Sequence, residues 1–289
     1  MAVPILEIKN LRKDFKSFSL KDINIKLEKG YIMGFIGPNG AGKSTTIKLI
    51  MNLLKKDGGE IKVFGMDHIK NEKEIKNKIG FVFDENYFYE ELTVNEMKRI
   101  IAPIYSTWDE ELFRKMSSNL SLPLNKKIKN LSKGMKMKFS LAIALSHHAD
   151  LLIMDEPTSG LDPVVRSELL QILSEFIQDE NKGVFFSTHI TSDLDKIADY
   201  VTMIQDGEIV FCLEKDALLD SYGIVRGQKE ILDNDKRKYL IGIQENRFGF
   251  EALVKDRKQA RKVFGESIII EKPTLEEVML HFIRGEKNA

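Results

Sequence analysis

A glycine-rich stretch at positions 37–45 has the residue types and spacing of a phosphate-binding loop. It reads GPNGAGKST and fits G-x-x-x-x-G-K-[ST], between an apolar stretch that predicts a strand and a helical pattern. Glycines let backbone N–H groups turn inward around phosphates, Lys43 can neutralise phosphate oxygens, and the Ser44 hydroxyl can bind Mg²⁺. The residues predicted to bind a nucleotide are Gly37, Pro38, Asn39, Gly40, Ala41, Gly42, Lys43, Ser44 and Thr45. The alternative, a glycine turn that binds nothing, is disfavoured by the flanking elements.

Two carboxylates follow a second apolar stretch. The segment LLIMDEP at 151–157 predicts a strand that ends at Asp155 and Glu156. Ligands of open parallel sheets bind at the carboxyl ends of the strands. Asp155 can hold a metal ion there, and Glu156 can polarise a water for attack on a γ-phosphate. Two acidic residues after a strand are a weak signal alone, and the phosphate-binding loop upstream strengthens it.

Three shorter motifs add candidate residues. LSKGM at 131–135 opens a helical pattern, which places Ser132 and the N–H of Gly134 at a positive helix terminus suited to an anion. In isolation, Ser132 is better explained as a helix N-cap. SGLD at 159–162 follows the carboxylates, and His189 follows the apolar strand VFFST. A lone histidine at a strand end is usually a surface residue or a satisfied core residue.

The order of the predicted elements is that of an α/β protein. Alternation of polar and apolar residues at 5–8 and 18–27 predicts antiparallel strands, after which apolar strands alternate with helices. Proline-interrupted helical patterns predict a mainly helical insertion at 93–149. Beyond about Lys215, shorter units predict a small α+β appendage. In its last helix Thr274 and Glu277 form a capping-box pair, and Gly285 can end the helix.

Charge balance and cysteine content exclude several classes of protein. The 289 residues include 44 Lys and Arg and 44 Asp and Glu, so the chain lacks the basic excess typical of nucleic-acid-binding proteins. The single cysteine, Cys212, excludes an internal disulfide framework and a thiolate metal cluster. The uncharged stretch at 139–149 is shorter than the about 20 apolar residues that cross a bilayer. No signal-peptide pattern opens the sequence, so we expect a cytoplasmic protein that binds no nucleic acid.

The ordered set GPNGAGKST, LSKGM, LLIMDEPTSGLD and STH resembles the ATPase subunit of an ABC transporter. The resemblance covers about 5–215 and implies a P-loop NTPase with a RecA-like core, an antiparallel β subdomain and a helical subdomain at about 86–150. It divides the chain into an ABC ATPase domain at 1–215 and a small C-terminal accessory domain at 216–289. ATP and Mg²⁺ are the implied cofactors, with Ser44 and Asp155 as metal ligands and Glu156 as the catalytic carboxylate.

The resemblance also gives roles that the spacing alone does not. His189 resembles the switch histidine that contacts the γ-phosphate, and Asp162 the residue that links two nucleotide sites. Phe15 occupies the position of the aromatic that stacks on adenine, although a core aromatic in an edge strand is an alternative. Ser132 and Gly134 would cover the nucleotide of a second ATPase subunit in a head-to-tail homodimer or heterodimer.

A separate transmembrane permease subunit is the partner that the resemblance implies, which would hold the chain at the cytoplasmic face of the cell membrane. The tail PTLEEVMLHFIRG resembles that of drug, antibiotic and peptide exporters and indicates export, and Asp84 followed by Glu85 resembles a subset of exporter ATPases in Gram-positive bacteria. The alternative is a non-transport ABC-type ATPase with a mechanical or regulatory role, although the chain lacks the long heptad arms or second cassette that such proteins need. A P-loop kinase would give no reason for LSKGM.

Three positions depart from the family pattern. LSKGM has Lys133 and Met135 where the family has glycine and glutamine, while Ser132 and Gly134 remain, so we expect hydrolysis to survive. Asp84 stands where the family has a glutamine that senses Mg²⁺ and the attacking water. We predict that Asp84 approaches Mg²⁺ through a water or turns toward the membrane partner. A solvated loop carboxylate without a metal role is the alternative.

Replacing Asp84 by glutamine tests its metal role. A carboxylate only accepts hydrogen bonds, and it repels a triphosphate unless a divalent ion lies between them. Asp84→Gln should therefore strengthen metal-free ATP binding and leave Mg·ATP affinity little changed, as measured by titration with and without EDTA. Equal affinities of the variant and the parent in EDTA would reject the metal role.

Overall fold

The computed structural model describes residues 3–83 and 87–287, and its elements confirm the predicted α/β class. The strands are β1 (Leu6–Asp14), β2 (Ser19–Leu27), β3 (Ile32–Ile36), β4 (Gly58–Val63), β5 (Met66–Asp67), β6 (Ile79–Val82), β7 (Leu151–Asp155), β8 (Gly183–Ser187), β9 (Tyr200–Gln205), β10 (Glu208–Glu214), β11 (Gly223–Gly227), β12 (Ile241–Asn246), β13 (Gly249–Val254) and β14 (Ile268–Glu271). The helices are α1 (Lys43–Ile50), α2 (Glu72–Asn77), α3 (Val94–Ile101), α4 (Glu110–Asn119), α5 (Lys133–Ser146), α6 (Pro163–Phe176), α7 (Thr191–Ile197), α8 (Lys215–Ser221), α9 (Asn234–Arg237), α10 (Arg257–Phe264) and α11 (Leu275–Lys287). In this described part, no helix is long and apolar enough to span a membrane.

A six-stranded sheet forms the centre of the molecule. Its order is β10-β9-β3-β8-β7-β6, in which β9, β3, β8, β7 and β6 run parallel and β10 pairs antiparallel with β9. Strands β3, β7 and β8 are buried along their whole length, as expected for apolar strands covered on both faces. The carboxyl ends of these three neighbours therefore lie side by side, where the phosphate-binding loop and the two carboxylates begin.

Different layers cover the two faces of this sheet. On one face, Met33, Phe35 and Phe185 pack with helix α1 and with an antiparallel sheet of order β2-β1-β4-β5. On the other face, Ile36 and Phe186 pack with helices α5, α6 and α7. The alternating pattern of β1 and β2 follows from this arrangement, because these strands bury only one face.

Helices α3, α4 and α5 form the mainly helical segment that the sequence predicts. Each begins at a side-chain cap: Thr93 in a capping box with Glu96, Asp109, and Ser132. The rings of Phe113 and Phe139 are fully buried between the helices. The predicted N-cap at Ser132 is confirmed, since its hydroxyl accepts a hydrogen bond from the Met135 N–H.

His147, at the end of α5, connects this helical segment to the central sheet. Its Nδ1 lies 2.9 Å from the carbonyl oxygen of Ile143, and its Nε2 lies 3.1 Å from that of Ile79 in β6. The Tyr105 ring stacks on the imidazole at 3.8 Å between centroids. Burial lowers the pKa of His147, and its hydrogen bonds to the two carbonyls oppose that shift.

The C-terminal part forms a sheet of order β12-β13-β11-β14, with α10 and α11 packed against it. One set of its buried residues belongs to the same cluster as a layer of the central sheet, whereas the others form a separate cluster with α10. The shared cluster includes Phe211, Leu218, Tyr222, Ile224, Leu253, Leu275 and Val278. The domain boundary at 215 and the bounds of the helical subdomain stay predictions. The region 216–287 is nevertheless joined to the rest by packed side chains as well as by the chain.

The last helix begins as predicted and ends later than predicted. Thr274 Oγ1 accepts from the Glu277 N–H, and the Glu277 carboxylate accepts from the Thr274 N–H, which confirms the capping box. The predicted end at Gly285 is wrong, because α11 runs to Lys287. A Cβ at Gly285 would lie 3.3 Å from the Gly242 nitrogen, so this glycine permits close packing of α11 on β12.

Truncating Phe139 tests the packing of the helical segment. Phe139→Ala should lower the free energy of unfolding by about 3–5 kcal/mol, because the substitution removes a fully buried ring and leaves a cavity. Phe248→Ala is the matched control, since Phe248 is 80% exposed and its loss should change stability by less than about 0.5 kcal/mol. Equal urea midpoints for the two variants would contradict the described core.

Candidate functional site

The loop between β3 and α1 is shaped by glycines with left-handed backbone angles. Gly40 has a φ of 83° and Gly42 a φ of 113°. A Cβ at Gly42 would lie 2.5 Å from Leu20 Cδ2, so only glycine fits, whereas a Cβ at Gly40 would meet no described heavy atom within 4 Å. Helix α1 starts at Lys43, directly after the loop. Its N-terminal amides therefore face the open side of the loop, which favours an anion.

The loop borders a hollow of about 350 Å³ that gathers residues from distant parts of the chain. Its lining comprises Phe18, Asn39, Gly40, Gly42, Lys43, Ser44, Thr45, Glu156, Ser159 and His189. Gly37, Pro38 and Ala41 belong to the same loop, and the first two turn their carbonyls to Lys43. The structure thus brings together the predicted phosphate loop, catalytic carboxylate and histidine.

Lys43 is held at the base of this hollow. Its side chain is 6% exposed, and Nζ donates to the Gly37 carbonyl at 2.8 Å and to the Pro38 carbonyl at 3.3 Å. Glu156 Oε1 lies 3.4 Å from the same Nζ. The ammonium is therefore fixed in direction, with a carboxylate oxygen on the side that faces the hollow.

Asp155 and Ser44 meet in a geometry suited to a hard divalent cation. The Ser44 hydroxyl donates to Asp155 Oδ1 at 3.1 Å across the gap between α1 and β7. Ser187, at the end of β8, donates to the same Oδ1 at 2.7 Å and accepts from the Glu156 N–H at 3.0 Å. A hydroxyl and a carboxylate oxygen side by side are the ligand types that Mg²⁺ prefers in sites that also use phosphate and water. Ser187 orients both carboxylate residues, and sequence reasoning missed it.

Glu156 and His189 form a hydrogen-bonded pair. The ring nitrogen Nδ1 of His189 lies 2.7 Å from Glu156 Oε2, and the backbone N–H of His189 donates to the same oxygen at 3.2 Å. Glu156 has a φ of 48°, a left-handed conformation that costs free energy in a residue with a side chain. Contacts with the Ser187 side chain and with Lys43 and His189 hold it there. The two candidate catalytic residues thus touch each other at the mouth of the hollow.

Two phenylalanines lie near the hollow of the phosphate loop. Phe18 lines the hollow, and its ring centroid is 6.4 Å from that of Phe15. Phe15 is 43% exposed beyond β1, and Lys13 Nζ lies 5.5 Å from its ring centroid. The exposure of Phe15 disfavours the alternative that Phe15 is a core aromatic. Stacking of Phe15 on adenine stays a prediction, with Phe18 as a second aromatic that the sequence reasoning did not name.

The remaining predicted residues lie on another surface. Ser132 caps α5, Gly134 is buried against Val165 of α6, and Asp162 caps α6 by accepting from the Val164 and Val165 amides. None of the three lines the hollow beside Lys43. Lys133 approaches Gly160, whose Cβ would lie 3.5 Å from Lys133 Cδ, so LSKGM and SGLD are neighbours. Asp84, the third predicted metal residue, lies outside the described residues.

An aromatic groove of about 520 Å³ lies between the helical segment and the central sheet. Its walls include Phe81, Phe83, Tyr87, Phe88, Met97, Ile101, Ile104, Tyr105 and Met137. Two of these side chains are solvent-exposed, Tyr87 at 58% and Ile104 at 67%. Glu156 and Pro157 also line the groove, so it adjoins the catalytic carboxylate.

The chain is similar to known proteins in sequence and in fold. Residues 20–159 match the family described as ABC transporter, and residues 127–194 match one described as AAA domain, putative AbiEii toxin, Type IV TA system. The bacitracin transport ATP-binding protein BcrA of Bacillus licheniformis is 36% identical over 194 residues, 66% of this chain and 63% of BcrA. The lantibiotic transport ATP-binding protein SrtF of Streptococcus pyogenes is 32% identical over 214 residues, 73% of this chain and 91% of SrtF. A solved ATP-binding subunit of an ABC transporter has a TM-score of 0.68 at 28% identity and covers 75% of this chain and 92% of its own.

Removing the Ser187 hydroxyl tests its effect on the metal ligands. Ser187→Ala should raise the Mg²⁺ concentration that supports half-maximal ATP hydrolysis by roughly 10-fold or more, because Asp155 loses the donor that orients it. Ser174→Ala is the matched control, since that hydroxyl donates to a carbonyl within α6. An unchanged Mg²⁺ dependence in Ser187→Ala would show that Asp155 is oriented without it.

Proposed function

Because the chain belongs to the ATP-binding subunits of ABC transporters, we propose that it binds and hydrolyses ATP to power transport through a separate membrane-spanning partner. The observation that carries the proposal is that Glu156 joins Lys43, through an ion pair, to His189, through a hydrogen bond, beside the phosphate loop. The Lys43 ammonium, which would bind phosphate, and the Glu156 carboxylate, which would polarise water, are thus within reach of the same ligand. The relatives, whose names say ATP-binding, support the same chemistry.

The chain's residues supply binding and charge neutralisation for a triphosphate. The loop amides and the start of α1 favour the anionic phosphates, and Lys43 carries the cation nearest their terminal oxygens. Ser44 and Asp155 would hold Mg²⁺, which supplies further charge neutralisation when it is bound. Both phenylalanines near the open end offer an apolar face to a base.

Glu156 and His189 support the hydrolytic step. An ionised Glu156 accepts a hydrogen bond from water, which increases the electron density available for attack on the γ-phosphorus. One carboxylate oxygen is held by His189, so the other can turn to the water once phosphate takes its place at Lys43. The water oxygen bonds to phosphorus as the bond between phosphorus and the ADP oxygen breaks, Glu156 takes a proton from the water, and the products are ADP and inorganic phosphate.

The complete nucleotide site requires a second ATPase subunit. Ser132, Lys133, Gly160 and Asp162 are exposed, and none of them lines the hollow of the phosphate loop. In a head-to-tail homodimer or heterodimer this surface covers the partner's nucleotide. The α5 N-terminus then supplies amides to that phosphate, which makes association dependent on ATP.

The aromatic groove is our proposed docking surface for a cytoplasmic segment of the permease. Half-buried aromatic side chains, the exposed Tyr87 and the lysines beside them have the composition of an interface centre with a polar rim. The groove also includes Glu156, so an occupant there can respond to the catalytic site. This contact would place the protein at the cytoplasmic face of the membrane.

Export is the proposed direction of transport. The tail that ends in α11 resembles exporter ATPases, and the names of BcrA and SrtF refer to bacitracin and lantibiotic transport. A non-transport ATPase is not favoured, because both relatives are named for transport. Purification from detergent-solubilised membranes tests the partner: a co-purifying multi-helix membrane protein supports the proposal, and recovery of soluble partners alone contradicts it.

Substitution of Glu156 tests the proposed chemistry. Glu156→Gln should keep ATP binding and lower turnover by roughly 10²- to 10⁴-fold, the usual effect of losing a general base. Size-exclusion chromatography with ATP and Mg²⁺ should show a trapped dimer. Glu60→Gln, which changes an exposed side chain of β4, is the control and should hydrolyse ATP at the parental rate. Parental turnover in Glu156→Gln would remove Glu156 from this role.

A further inference from the structure

A buried ion pair joins helices α6 and α7 beside the catalytic site. Arg166 Nε lies 2.5 Å from Asp193 Oδ1, and Arg166 Nη2 donates to the Ser192 hydroxyl at 2.7 Å. The Asp193 side chain is completely buried and that of Arg166 is 26% exposed. The guanidinium therefore bridges two consecutive residues of α7.

This pair has the features of a positioning device more than of a stabilising one. Asp193 Oδ2 is buried without a hydrogen-bond partner in the described part of the chain. Burying a carboxylate with an unsatisfied oxygen is costly, and a buried ion pair often stabilises a fold no better than apolar side chains of similar size. What the pair provides is a fixed position of α7 relative to α6, which strand β8 separates in the sequence.

Short hydrogen-bonded links connect Arg166 to one functional loop and Asp193 to the other. The backbone N–H of Arg166 donates to the backbone carbonyl of Asp162 at 3.0 Å, within the first turn of α6. The Asp193 N–H donates to the Ile190 carbonyl at 3.2 Å, and Ile190 directly follows His189. A displacement of α7 relative to α6 would therefore move His189 relative to SGLD.

His189 depends on this support because few contacts hold it. Its side chain is 48% exposed, and the hydrogen bonds described for it both go to Glu156 Oε2. The position of its backbone is thus determined by the start of α7. Gly34 lets Leu194 of α7 pack directly on β3, since a Cβ there would lie 2.3 Å from Leu194 Cδ2. That contact fixes α7 against the sheet, and Arg166 fixes it against α6.

We propose that the Arg166–Asp193 pair is a positioning element that holds His189 against Glu156 during ATP hydrolysis. The inference rests on the proposed ATPase function. Neither residue lines the hollow of the phosphate loop, so the pair acts through His189 and not on the nucleotide. Its loss should lower kcat while ATP binding, which depends on Lys43 and the loop, is retained.

Steady-state kinetics of Arg166 variants test this role. Arg166→Met should lower kcat by about 10- to 100-fold, the effect of a small misplacement of catalytic groups, and change KM and the Kd of ATP by less than about twofold. Arg166→Lys should recover part of kcat, because lysine keeps the charge for Asp193 but lacks the fork that also reaches Ser192. Arg226→Met removes a comparable pair with Glu251 in the C-terminal sheet and should leave kcat unchanged.

Two results would overturn the positioning role: a kcat within twofold of the parent in folded Arg166→Met, or parallel losses of kcat and ATP affinity. If Arg166→Met does not fold, Arg166→Met/Asp193→Leu removes both charges together, which avoids an unpaired buried carboxylate. A folded double variant with low kcat and parental Kd supports the role, and parental kcat rejects it. An inactive parent chain would instead contradict the proposed ATPase function.

Discussion

The arrangement of the site depends on balancing the charge of one buried ammonium group. Lys43 must lie deep in the phosphate loop to reach a terminal phosphate, and a buried cation is costly unless it is paired and hydrogen-bonded. Two loop carbonyls and one oxygen of Glu156 provide that compensation. The loop, β3 and β7 must therefore keep their relative positions, because a shift of any of them would leave the ammonium unpaired.

The same requirement links binding to catalysis. Glu156 shares its two oxygens between Lys43 and His189, and it adopts a left-handed backbone conformation to do so. A phosphate at Lys43 competes with Glu156 for the ammonium and leaves one carboxylate oxygen for water. Ser187 and the Arg166–Asp193 pair lie behind these groups and limit how far they can move.

The sequence predicts those parts of the site whose role depends on the spacing of residues along the chain. Such parts act on groups within a few residues or at a strand end. They are the loop 37–45, Asp155 with Glu156, and the caps at Ser132 and Thr274. Ser187 and the Arg166–Asp193 pair make contacts between different helices and strands. The periodicity of a sequence shows which face of an element is buried, but it does not show which residue of another element that face contacts. The predicted end of α11 is wrong for a related reason: Gly285 lies within α11, where its lack of a Cβ permits the close approach of Gly242, a contact that no local signal reveals.

Calorimetric titration of Mg·ATP into the parent chain and into Lys43→Met tests the central role of the buried ammonium most directly. Loss of a charged hydrogen bond to phosphate, worth about 1.5–3 kcal/mol, should weaken binding by roughly 10- to 150-fold. Lys48→Met, in the last turn of the same helix, should bind as the parent does. Equal affinities of Lys43→Met and the parent would contradict the account.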